Sequence, residues 1–257
     1  MILASAYIDV SNVAMNGGFG MRYDALRDFA TRNGYRMLHM NAYVGYDRQR
    51  AASEQSYSAS QQRFHNAIKD FGFKVVVKDV KHFRDEDGKE FKKSNVDIDM
   101  TVDLLMSKPA DRIVICTGDG DFIPVIKALQ ERGSRVEVVG FENVSKDLKS
   151  EADLYICGWI IPGLMPCAVS RERGVCYYRS GSGGMLRVMD NYAEGMVEVT
   201  DSHMPRSAYA SVQFDDKDLV DLHPSCLPSR SIILEFTVQD DGSSLVAKDI
   251  RVVSKGA

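Results

Sequence analysis

The residues of this chain that could do chemistry are mostly aspartates. Asp9 and Asn12 stand in IDVSN, Asp97, Asp99 and Asp103 in VDIDMTVD, and Asp119 and Asp121 in CTGDGDF. Brought to one point, such carboxylates raise each other's pKa until one protonates, unless a cation neutralises them. Hard oxygen donors without histidine or cysteine suit Mg²⁺ or Mn²⁺. The five histidines (39, 65, 82, 203, 223) are scattered without ligand spacing and read as ordinary surface or core residues. Each acid also has a plainer reading when taken alone. Asp9 and Asp97 are placed where helix N-caps occur. Asp99 and Asp103 are spaced i, i+4, as on a solvated helix face, and CTGDGDF reads as turn chemistry. The conjunction of three segments weighs more than any one of them.

Those segments need a scaffold that brings them together. Short β-branched runs at 4–10, 36–44, 73–80, 112–116 and 135–139 alternate with helical stretches at 23–33, 47–71, 96–107 and 121–132, with Gly34, Gly72 and Gly133 where helices end. Phe64, Ile68 and Phe71 make one apolar stripe on the second helix. This alternation predicts an α/β fold with a doubly wound, mostly parallel sheet, functional at the carboxyl ends of its strands. Asp9 and Asn12 then end the first strand, Asp119 and Asp121 follow the fourth, and Asp97 opens the helix between them, all on one rim. The charged stretch 81–94 reads as a mobile loop, solvated or facing substrate.

Near IIPGLMP (160–166) two prolines and a glycine break regular structure, which places a domain boundary there. Downstream, GVCYY, MLRVMD, GMVEVT, SVQF, SIILEFTVQ and LVAKDIRVV are short strand candidates, which suggests a small all-β, antiparallel barrel of five or six strands. The domains are therefore 1–160 and 167–257. With every candidate catalytic residue before Met165, the first part is expected to fold and act alone, the barrel adjusting affinity.

The 257 residues, 44% hydrophobic and 26% charged, exclude disordered, collagenous and membrane classes. No run reaches the ~18 apolar residues of a membrane span, and MILASAYIDV lacks the form of a secretory signal, so the chain reads as cytoplasmic. Five cysteines without a CxxC argue against a disulfide scaffold and a cysteine zinc site. Net charge is −4, and residues 166–257 carry 10 bases against 13 acids. Any attraction for a polyanion must come from local patches or bound metal.

At the acidic residues the sequence resembles the NYN family of PIN-like nuclease domains, including its LabA-like branch. The family pattern is an Asp-x-x-Asn on the first strand, a Lys and Val-Asp opening a helix with a further Asp six residues on, and a Ser-Gly-Asp-x-Asp-Phe turn. Here these are Asp9 and Asn12; Lys93, Val96, Asp97 and Asp103; and Thr117, Gly118, Asp119, Asp121 and Phe122. Thr117 replaces the commoner Ser and keeps the hydroxyl, and Asn95 stands where a Gly is frequent. The resemblance implies metal-dependent hydrolysis of phosphodiesters, most plausibly of single-stranded RNA, with Asp9, Asp97, Asp119 and Asp121 catalytic and Asp103 among the metal ligands. A cation on Asp9, Asp97 and Asp119 would activate water, and a second, sharing Asp119 or Asp121, would stabilise the leaving 3′ oxygen. Asn12 and Thr117 would orient water or phosphate, while Lys92 and Lys93 would hold backbone phosphates.

Residues 172–253 resemble, more loosely, a cold-shock-type OB barrel, best at ILEFTVQDDGSSLVAKDIRVV and GVCYYR. Met185 and Leu186 stand where stacking rings belong, leaving Tyr177, Tyr178 and Phe214 as candidates for RNA, with a protein partner or a purely structural role as alternatives. Two rivals to a ribonuclease stand beside it. One is an inactive module that regulates a partner or tethers RNA. The other is a phosphotransfer enzyme, which would need an acid two residues after Asp9, where Ser11 stands.

Overall fold

Strands buried on both faces need helices on both sides, and the near-continuous apolar runs of this chain obey that rule. The computed structural model describes residues 2–84, 90–167, 171–189, 209–242 and 244–254. In order, β1 (Leu3–Asp9), α1 (Val10–Val13), α2 (Tyr23–Thr31), β2 (Arg36–Tyr46), α3 (Arg48–Ser53), α4 (Gln55–Asp70) and β3 (Lys74–Asp79) build the first half. A hairpin of β4 (Lys81–Arg84) and β5 (Glu90–Lys93) leads to α5 (Val96–Met106), β6 (Arg112–Cys116), α6 (Ile123–Glu131), β7 (Arg135–Gly140), α7 (Lys146–Glu151) and β8 (Leu154–Cys157). The six sheet strands are parallel in the order β3-β2-β1-β6-β7-β8. Strand order reverses between β1 and β6, the switch point at which open α/β sheets place their ligands. One core lies under α2 and α4, around Ile8, Leu26, Phe29 and Ile68; the other lies under α5 and α6, around Tyr7, Met100, Ile115 and Ile126.

All five strands expected from the sequence are present, and the short helices α1 and α7 are additions to the four helical stretches expected. The sheet has a sixth strand, β8, whose four residues are too few to display a period. The single helix expected over 47–71 is two: Glu54 sits in extended backbone between α3 and α4, and Phe71 lies beyond the helix as its C-cap, leaving Phe64 and Ile68 to make the contacts. Residues 81–94, expected as a loop, hold the antiparallel β4–β5 pair.

The C-terminal part is a closed five-stranded barrel of β9 (Glu172–Ser180), β10 (Gly183–Met189), β11 (Tyr209–Asp215), β12 (Ser229–Asp240) and β13 (Leu245–Ser254), closing in the order β10-β11-β13-β12-β9. It is antiparallel as expected except where β11 meets β13, which run parallel with Gln213 beside Val246. Its core holds Cys176, Leu186, Val212, Leu234, Phe236 and Ile250. The strand candidate GMVEVT lies outside the described residues.

The segment expected to separate the two parts is packed rather than linking: Ile161, Leu164 and Met165 are buried. They share one cluster with Phe141 and Ile160 of the sheet domain and with Val175, Met189 and Ile233 of the barrel. Trp159 stands edge-on to Phe141 and lies under the Arg173 guanidinium, and Ser254 Oγ donates to Glu142 Oε1 at 2.8 Å.

Candidate active site

The rim is built where β1 and β6 end side by side, Ile8 facing Cys116 in register. Asp9, 7% exposed, caps α1 by accepting from the Asn12 amide at 3.0 Å. Asn12 reaches across to β6, its Oδ1 accepting from the Gly118 amide at 2.8 Å. Thr117 is fully buried, and its hydroxyl oxygen accepts from the Asp119 amide at 3.2 Å. Asp119 accepts in turn from the Asp121 amide at 2.9 Å, and buried Phe122 pins the turn from below. The glycines of CTGDGDF serve close approach: a Cβ on Gly118 would lie 3.3 Å from Val144 Cα, and one on Gly120 3.0 Å from Ser145 Oγ. The cap foreseen for Asp9 is thus real and coexists with the gathering of charge, whereas the one foreseen for Asp97 is not: α5 starts after Asn95, and Asp97 lies within its first turn.

Burial pushes the Asp9 carboxyl above the ordinary range, the Asn12 amide opposes that shift, and the charges of Asp119 and Asp97 add to it. Asp97, from the first turn of α5, is half-buried with Oδ1 enclosed and without a hydrogen-bond partner. Three chain segments thus supply interacting carboxylates. Among the described residues, no three acid, histidine or cysteine side chains already form a complete metal-holding group. The donor chemistry nonetheless fits a hard divalent cation: oxygen ligands only, charges that oppose each other, and one buried carboxylate oxygen with no donor.

The remaining candidates lie at the edge of this group or outside it. Asp121 is exposed at the outer edge of the turn. Asp103 accepts from Tyr43 Oη at 2.7 Å and Asn41 Nδ2 at 3.4 Å. It lies six residues, about 9 Å of helix, beyond Asp97. Asp99 pairs with Lys78 at 2.8 Å. Lys92 and Lys93 lie in β5, opposite His82 and Lys81, and their side chains are outside what the structure describes. In the barrel, Tyr177 bonds Ser211 and lies under Arg187, Tyr178 is 53% exposed beside a shallow groove lined by Gly184 and Met185, and Phe214 is buried in the core.

The sequence reading missed the loop that braces this rim. Asn143, at φ 53°, donates to Asn16 Oδ1 at 3.1 Å; the Glu142 amide donates to Asn16 O, and the Ser145 amide to Gly118 O. An Asn in GFENVS suits a left-handed turn, which was the only local signal.

Sheet order, switch point and acidic rim agree with the comparison that decides the family: residues 4–160 match the NYN domain. The chain belongs to the NYN domain family. NYN domains fall within the PIN-like nuclease superfamily, which ties this one to nucleic-acid chemistry. The NYN region is also similar to the low amplitude and bright protein LabA of Synechococcus elongatus, 27% identical over 158 residues, spanning 58% of this chain and 80% of that protein. A crystal structure of a protein of unknown function, VPA0982 from Vibrio parahaemolyticus, matches at a TM-score of 0.49 with 24% identity, covering 61% of this chain and 92% of that one.

Proposed function

We propose that the chain is a metal-dependent ribonuclease that hydrolyses phosphodiesters of single-stranded RNA at the acidic rim. The observation that carries this reading is the burial of Asp9 against the charges of Asp97 and Asp119 at the switch point of an NYN sheet. Asp9, Asp97 and Asp119, with Asp121 at the outer edge, would hold Mg²⁺ or Mn²⁺. When bound, such an ion supplies Lewis-acid polarisation of the phosphate and acidifies water near neutral pH.

The chain's own residues do the positioning. Asn12 and Thr117 fix the backbone of the Gly118–Asp121 turn, so the Asp119 carboxylate is held before substrate arrives. Asp9, pushed toward its protonated form without a cation, is the carboxylate with most to gain from one. Asp103 belongs outside this set, holding α5 to β2 through Tyr43. Lys92 and Lys93 would meet backbone phosphates, and Tyr178 offers the barrel's exposed ring to an RNA strand.

The test is incubation of the full chain with labelled single- and double-stranded RNA and DNA in Mg²⁺, Mn²⁺ or EDTA. Cleavage of single-stranded RNA that requires the metal and is lost in Asp119→Asn is the expected result. A wild-type chain that binds RNA with unchanged affinity in EDTA and never cuts it would favour the inactive tethering module.

A further inference from the structure

Ten residues after Asp9 the chain presents a feature the acidic site does not use. Phe19, in Gly17-Gly18-Phe19-Gly20, is 84% exposed, the most exposed large apolar side chain among the described residues. Leaving an aromatic ring in water forgoes the stabilisation that burial would give. The loop is not slack. A Cβ on Gly18 would lie 2.4 Å from Val13 Cγ1 and 2.6 Å from a Phe141 ring carbon, so that position admits glycine alone. Gly17 and Gly20 take φ of 92° and 83°, which glycine adopts without strain. Met21, two residues on, is buried, and its amide bonds back to Gly18 O. A tightly determined backbone therefore holds its one large side chain out in solvent.

The loop is also continuous with the rim. Asn16 Nδ2 donates to Asn12 O at 2.7 Å, and Asn12 holds Gly118; Asn143 donates to Asn16 from the other side. Phe19 follows Asp9 by only ten residues, through α1 and the turn after it, whose Asn16 and Gly17 leave helical backbone. A carboxylate rim on a chain of net charge −4 repels phosphate, so affinity for a strand must come in part from uncharged contacts. Aromatic stacking supplies it without sequence preference, because every base has a π-face.

We propose that Phe19 is a stacking platform for an unpaired nucleobase of the strand whose phosphodiester enters the acidic rim. This rests on the ribonuclease reading above and adds to it a reason for single-strand preference, since a base within a duplex has no free face. The test uses the full chain carrying Asp119→Asn, with a fluorescein-labelled 12-nucleotide single-stranded RNA and the same RNA annealed to its complement, followed by anisotropy. Adding Phe19→Ala should weaken single-strand binding by about five- to a hundredfold, the loss of one base stack, and leave duplex binding and the melting temperature where they were. Phe19→Trp should retain affinity, and its added indole fluorescence should be quenched by the RNA. In the chain with Asp119 intact, Phe19→Ala should raise KM for RNA more than it lowers kcat. Unchanged single-strand affinity in Phe19→Ala, with cleavage persisting in the wild type, overturns the platform and spares the nuclease reading. A wild-type chain that neither binds nor cuts RNA overturns both.

Discussion

Asp9 does two jobs whose energies oppose each other, and substitution separates them. Its carboxylate caps α1 by accepting from the Asn12 amide, while its burial beside Asp97 and Asp119 disfavours the charge. A carboxyl whose folded pKa is raised contributes stability below its unfolded pKa and loses it as pH rises through the folded value, so at pH 7 its ionised form is a cost. Asn caps as well as Asp does. We expect metal-free Asp9→Asn to unfold at or above the wild-type temperature at pH 7, and Asp9→Ala to be less stable than Asp9→Asn by about 1 kcal/mol. Asp9→Asn markedly less stable than wild type would mean the acid is a structural partner. Asp97 and Asp103 should differ as well. Mn²⁺ binding only to folded protein raises its melting point; Asp97→Ala should blunt that rise, whereas Asp103→Ala should keep it while losing about 1–3 kcal/mol, because the Tyr43 hydroxyl proton loses its acceptor although Asn41 Nδ2 still donates to its oxygen. The three acidic segments were legible in the sequence because strand-end acids and glycine turns are local signals. Helix spacing also showed Asp103 nearly two turns beyond Asp97, but not what holds it, because Tyr43 and Asn41 reach Asp103 from a strand about sixty residues away.

Among the elements, β7 carries a charge cluster far from any chemistry. Glu137 is fully buried, and burial alone would raise its pKa, but Arg32 at 2.5 Å and Arg112 at 3.3 Å, with hydrogen bonds from Arg32 and Arg135, bring it below the ordinary value. A depressed carboxylate contributes stability above its unfolded pKa, about 4.3, and loses it as pH falls toward the folded value. Glu137→Gln should therefore cost about 3–5 kcal/mol at pH 7, by leaving Arg32 and Arg112 buried without their anion. That difference should narrow below about pH 4, as read from urea midpoints across pH. A gap that stays constant to pH 3 would remove the ionic account. The sequence displayed β7 as an apolar run but hid this partner set, which joins residues more than a hundred positions apart. Parallel strands and periodic helices were legible for the same reason the acidic turns were. Missing β8 and the break at Glu54 mark the limit of periodicity, since four strand residues and a one-residue interruption change no average.

At the scale of the molecule, the barrel shares a buried cluster with the sheet domain, and the segment IIPGLMP lies inside that contact. Composition showed a change of character there, but which side its apolar residues face depends on partners in both parts. Removing the barrel uncovers the cluster against which Val175, Met189 and Ile233 pack, on the order of 5 kcal/mol of apolar burial for three side chains and comparable to a domain's whole stability. A chain ending at Met165 should therefore melt well below the full protein and bind a hydrophobic dye; a truncated form as stable as the full chain would refute the shared core. The same contacts connect barrel to chemistry, since Ser254 holds Glu142, whose amide holds Asn16 beside Asn12. All of this serves one claim, that the acidic rim cuts RNA with a divalent ion. It is tested most directly by cleavage of a single-stranded RNA in Mn²⁺ by wild type and by Asp97→Asn, with matched melting curves. Metal-dependent cutting by the wild type that falls to background in a folded Asp97→Asn is the result we expect. Equal cutting by both, or cutting by the wild type that persists in EDTA, would contradict the account.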